Sequence, residues 1–186
     1  METKHRCAWC EKDDLYRNYH DNEWGKPVYD DATIFEFLIL ETFQAGLSWY
    51  TVLAKRENFR KAFDDFDWKT IANYSEEKMA ELAEDSGIIR NKLKIKATVT
   101  NAQAFLKVQE EFGSFSKYIW GFVDGKPIDN QPNNLSEVKA TTEISDALSK
   151  DLKNRGFKFV GSTVVYAHMQ ATGMVNDHVM NCFTRK

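Results

Sequence analysis

Cysteine and histidine gather at the two ends of this 186-residue chain: Cys7, Cys10 and His20 near the start, His178 and Cys182 near the finish. A fold in which they meet must lay its first twenty residues against its last ten, which few architectures permit. His178 and Cys182 stand four apart, so a helical turn would aim both at one point. Two thiolates and two imidazoles suit a closed tetrahedral shell around one Zn²⁺, a structural site with no position for water. The Cys7-x-x-Cys10 pair is a rival arrangement, and at this level both remain open. Three cysteines, an odd number, favour ligands or free thiols over disulfides. The polar start predicts no export signal and a cytoplasmic protein.

Between the ends the signal is helical. Apolar residues recur every three or four positions and strand alternation never persists, which predicts an all-α chain. A first helix is expected from about Thr33 to Ala45, capped by Asp31 or Thr33 and stopped at Gly46. Ser48 opens a second through Trp49, Val52, Leu53 and Phe59, and Asp67 precedes a short one from Trp68 to Tyr74. Further helices are expected from Ser75 to the Gly87 turn, Asn91 to Gln109, Ser114 to Val123, Thr141 to Arg155 and Ser162 to Thr172. Asp124 to Lys139 reads as loop. A chain of this length can bury roughly 70% of its unfolded surface, enough for one unit over 1–186. No apolar run approaches the ~20 residues that a membrane span needs.

One carboxylate stands out. Glu41 follows Ile34, Phe37 and Leu38 by seven, four and three positions, so it shares their apolar helix face. A carboxylate aimed at a core is costly unless it is paired or used, and a nearby arginine or a path to solvent would be the plain explanation. Around it in sequence stand Trp9, Tyr16, Tyr19, Trp24 and Trp49, in a chain whose aromatic content is 13%. Ring faces with a carboxylate suit a cationic purine, which stacks on the rings and donates its amino hydrogens to the acid. Most aromatics of any chain are ordinary core, so the argument rests on their company with Glu41.

Net charge is −3, with 25 Lys and Arg against 28 Asp and Glu, so any nucleic-acid contact must come from local clusters. The strongest is a helix–glycine–helix pattern around Gly87, followed by Arg90, Lys92, Lys94 and Lys96. Free amides at a helix start beside cations form a phosphate site that reads no bases. A second cluster is Lys150, Lys153, Arg155 and Lys158. For any single one of these lysines, an exposed helix face is the simpler reading.

At Tyr19-His-Asp-Asn-Glu-Trp-Gly25, Gln44-Ala-Gly-Leu-Ser-Trp49, Gly87-Ile-Ile-Arg90, Gly156-Phe-Lys-Phe-Val-Gly161 and Asn176-Asp-His178 with Cys182, the chain resembles the bacterial type I 3-methyladenine DNA glycosylases. These stretches span nearly the whole chain. The resemblance implies a helix-hairpin-helix glycosylase fold, with the hairpin lobe at about 33–123 and a second lobe made from the two ends. It implies a structural zinc held by Cys7, His20, His178 and Cys182, with Cys10 left out. It also implies that Glu41, Tyr16, Tyr19 and Trp49 form the lesion pocket, with Trp9 and Trp24 beside them. Phe43 and His168 depart from the expected pattern and their roles stay open.

The implied substrate is alkylated double-stranded DNA and the implied reaction excises 3-methyladenine, acting as a monomer. Glu41 is the residue expected to matter most to the chemistry, by selecting the cationic base. Gly87, Arg90 and Lys92 are the expected DNA contacts. Leu47 is a candidate wedge for the vacated stack, unless it is simply a buried leucine. Two other readings are a docking module without catalysis, which needs no pocket, and an enzyme on free nucleobases, which needs no phosphate hairpin.

Overall fold

The computed structural model describes residues 4–185. Its helices are α1 (Asp14–Asn22), α2 (Asp31–Gln44), α3 (Trp49–Ala54), α4 (Arg56–Ala62), α5 (Trp68–Ile71), α6 (Glu76–Glu84), α7 (Lys92–Phe112), α8 (Phe115–Trp120), α9 (Glu143–Asn154) and α10 (Ser162–Ala171). Most start where a short polar side chain can accept an otherwise unpaired amide. Asp13, Asp30, Ser48, Asp67, Ser75, Asn91, Ser114 and Thr142 each do so.

Helix α2 is the axis of the molecule. From Ile34 to Phe43 only Glu36 escapes full burial, because α3, α7, α8 and α10 all pack around it. Phe43 is plain core, its ring 4.8 Å from Phe59. His168 is core too: its Nε2 lies 3.1 Å from the Ile34 carbonyl, and burial pushes its pKa down to about 4, so it stays neutral.

Several expectations need correction. Asp30, not Asp31 or Thr33, caps α2. Asp31 instead accepts the amides of Phe115 and Ser116 at 2.9 and 2.8 Å, fixing the start of α8 against α2. The helix expected from Ser48 breaks at Lys55 into α3 and α4. The expected all-α chain contains one parallel pairing, β1 (Ile128–Asp129) with β2 (Val175–Asn176), which fastens the long loop to the tail. His178 and Cys182 do not share a helix; a turn closed by the Cys182 amide on the Val179 carbonyl brings them together.

The tail reaches that position through Gly173, whose φ is +68°. A Cβ there would sit 2.3 Å from the Lys26 carbonyl carbon, so only glycine lets the two segments touch.

Candidate active site

A cavity of about 210 Å³ opens where α1, α2, α3 and α10 converge. All six residues expected around a base line it: Trp9, Tyr16, Tyr19, Trp24, Glu41 and Trp49. Each is placed by its element. Tyr16 and Tyr19 are three apart on α1, Trp49 opens α3 behind its Ser48 cap, and Glu41 projects from α2. Tyr19 lies 5.5 Å from Trp49, and Trp9 lies 4.9 Å from Tyr16 and 5.0 Å from Trp24, centroid to centroid. The walls are therefore ring faces and edges held against one another.

Glu41 is 3% exposed and has no arginine partner. The nearby guanidinium of Arg56 is taken by Glu23 and Glu36, each at 2.6 Å. Among the described residues, the buried side-chain polar atoms that lack a hydrogen-bond partner are Glu41 Oε2 and Trp49 Nε1. Both belong to this cavity, and an acceptor and a donor left unpaired in one place are costly unless a ligand completes them. Burial pushes the Glu41 pKa up to about 8, so without a cation beside it Glu41 is a neutral acid at pH 7.

One wall of the cavity is shared with the cysteine–histidine cluster. One ligand atom each from Cys7, His20, His178 and Cys182 lies within 4.8 Å of the others, and all four residues are buried. Each imidazole is anchored by one nitrogen and aims the other inward. His20 Nδ1 lies 2.8 Å from Asp21, itself clamped by Arg6, while Nε2 is 3.5 Å from Cys182 Sγ. His178 Nε2 lies 3.0 Å from the Trp24 carbonyl, while Nδ1 is 3.7 Å from Cys7 Sγ. This is the support a metal-binding histidine needs. The sulfurs point the same way: the hydrogen bond between them, with burial, pushes the Cys7 thiol up, while Cys182 is held low. A divalent cation would relieve that conflict by taking both as thiolates. Cys10 faces away, its Sγ donating to the Cys7 carbonyl at 3.2 Å.

The remaining candidates do not line the cavity. Leu47 is 42% exposed on the turn between α2 and α3, where Gly46 adopts φ +82°, so it is not a buried leucine. Helices α6 and α7 form a hairpin through Gly87, with Arg90 and Lys92 exposed beside the start of α7. The Gly87 carbonyl accepts from Lys55 and Asn58, which braces the turn. Lys94 departs from the expected phosphate cluster: it is buried, and its Nζ donates at 2.8 Å to the carbonyls of Phe43 and Ala45, closing the end of α2. In the second cluster Arg155 is engaged by Glu111 and Asp151.

Sequence reasoning missed Gln44 and Gln170, which also line the cavity. Gln170 follows Tyr166 by one helical turn on α10, a spacing visible in the sequence. Its partner Asp177 belongs to the Asn176-Asp-His178 stretch.

The chain matches the family model described as methyladenine glycosylase over residues 9–185. It is 50% identical over 177 residues to DNA-3-methyladenine glycosylase 1 of Escherichia coli (strain K12), covering 95% of each chain. A crystal structure of 3-methyladenine DNA glycosylase I superposes with a TM-score of 0.94 at 50% identity, covering 96% of this chain and 98% of that one. A variant of 3-methyladenine DNA glycosylase I in complex with 3-methyladenine gives 0.94 at 38% identity, covering 97% of both.

Proposed function

The chain belongs to the methyladenine glycosylase family, and from that premise we infer its reaction. It is a DNA-3-methyladenine glycosylase, a base-excision repair enzyme that hydrolyses the N-glycosidic bond and leaves an abasic site. The observation that carries this reading is the unpartnered Glu41 Oε2 and Trp49 Nε1 inside an aromatic cavity.

Methylation at N3 makes adenine cationic and weakens its bond to the sugar. What the protein must add is extrusion and selection. Turning the nucleotide out of the stack costs a few kcal/mol, least for a damaged base. Inside the cavity Glu41 meets a cation, and its raised pKa falls back as the acid ionises against that charge. Neutral adenine offers no such compensation, so the buried acid discriminates by charge while the rings of Tyr16, Tyr19, Trp49, Trp9 and Trp24 stack on either base.

The exposed Gly46–Leu47 turn supports Leu47 as the wedge filling the vacated position. The α6–α7 pair reads as a helix-hairpin-helix element, with Gly87, Arg90 and Lys92 against the DNA backbone. The four-residue cluster reads as a structural Zn²⁺ site that, when loaded, supplies rigidity to the cavity wall and no chemistry on the substrate. Incubating the protein with methylated DNA and identifying the bases released tests the reading. Release of 3-methyladenine is the expected result, and intact glycosidic bonds would remove it.

A further inference from the structure

The cavity holds a second acceptor whose orientation is fixed from behind. Gln170 donates through Nε2 to Asp177 Oδ2 at 2.8 Å. Asp177 is buried, and it also receives the Tyr166 hydroxyl at 2.7 Å and the Asn130 amide at 2.7 Å. A carboxylate among donors offers only acceptors, so the Gln170 amide cannot be turned round: its NH₂ must face Asp177. Oε1 is thereby left as the atom available to a ligand in the cavity that Gln170 lines.

On the base-excision reading above, the ligand's chemistry decides what that oxygen meets. In 3-methyladenine, as the cationic base of a nucleotide, the only N–H hydrogens are the two on the exocyclic amine. Two acceptors in one pocket therefore compete for a single group or share it. We propose that Gln170 is a specificity-determining residue: Glu41 takes one amino hydrogen and Gln170 Oε1 takes the other, with Asp177 as the positioning residue that fixes the amide. A purine carrying a carbonyl in place of the amine would set its oxygen against Gln170 Oε1, which can only accept. The pocket then reads charge through Glu41 and the amine through the pair.

The test is to titrate free 3-methyladenine and its 6-oxo counterpart, 3-methylhypoxanthine, against wild type, Gln170→Leu, Gln170→Met and Asp177→Asn, following tryptophan fluorescence. Wild type is expected to prefer the amino base by about tenfold or more through this contact. Both Gln170 variants should lose most of that preference, weakening on 3-methyladenine while no longer opposing the carbonyl of the oxo base. Asp177→Asn frees the amide to turn, so it should lower the ratio too, yet add nothing when combined with Gln170→Leu. A ratio unchanged in whichever Gln170 variant folds would overturn the proposal, since lost stability alone weakens both bases alike. Wild type that binds neither base would instead bring down the reading on which it rests.

Discussion

The rings of Trp24 and His178 meet edge to face at 4.6 Å, and His178 Nε2 also sits 3.0 Å from the Trp24 carbonyl. One tryptophan thus lines the base cavity and leans on the cysteine–histidine cluster. Damage to the cluster should therefore be felt by the ligand.

On the proposed zinc reading, Cys7→Ser should lose the metal, destabilise the protein and weaken 3-methyladenine binding together. Cys10→Ser should keep metal, fold and affinity, because Cys10 faces the Cys7 carbonyl rather than the cluster. Metal analysis, thermal unfolding and base titration on each variant check this. A Cys10 variant stripped of zinc would refute the ligand set. Added metal should not raise activity, since a closed four-ligand shell would have no place for substrate.

Glu41→Gln keeps size and one acceptor but removes the charge, and should lose several-fold to about hundred-fold in binding or excision. The same variant reports on pH. The folded protein holds the Glu41 proton up to about 8, whereas an unfolded chain releases it near the ordinary carboxyl value of 4.5. Between those values the folded state binds the extra proton, so this group's contribution to stability declines as pH rises and levels off above about 8. Denaturant unfolding at acid and alkaline pH should show that decline in wild type and not in Glu41→Gln. Parallel pH profiles for the two proteins would place the burden of the slope elsewhere.

The α6–α7 hairpin separates two kinds of lysine. Arg90→Ala with Lys92→Ala should weaken DNA binding alike on all sequences and flatten its dependence on salt. Lys94→Met should leave the salt slope intact. It should instead cost about 1–3 kcal/mol of stability, because two carbonyls at the end of α2 lose their donor. Binding isotherms over a salt series, paired with urea unfolding, distinguish the two.

Leu47→Ala should change stability by less than about 0.5 kcal/mol, as expected of an exposed turn residue. It should slow excision from duplex DNA while leaving affinity for free 3-methyladenine untouched. Equal rates on duplex would move the wedge to another residue.

Much of this was legible from residue types. The caps announced most helix starts, and Glu41 declared itself because a carboxylate in an apolar stripe conflicts with its surroundings. What escaped were relations between segments remote in sequence. Asp31 looked like the cap of its own helix and serves α8 instead, since the nearer Asp30 takes that task. Lys94 looked like part of a basic run, and only the packing of α7 on α2 turns it inward. The His178–Cys182 spacing suggested a helix, and a turn achieves the same convergence. Gln170 shares a helix face with Tyr166, but its meaning lies in Asp177, beyond the end of α10.

The cluster's placement also bears on how the protein is made. Half of its donors emerge from the ribosome within the first twenty residues and half only with His178 and Cys182. A cation bridging them would tie off nearly the entire polypeptide as a loop, a constraint on the unfolded chain worth about 5 kcal/mol. Until His178 arrives, Trp24 lacks the imidazole edge that packs against it. In a nascent chain the wall formed by Trp9 and Trp24 therefore stays unsupported on one side until this segment is made.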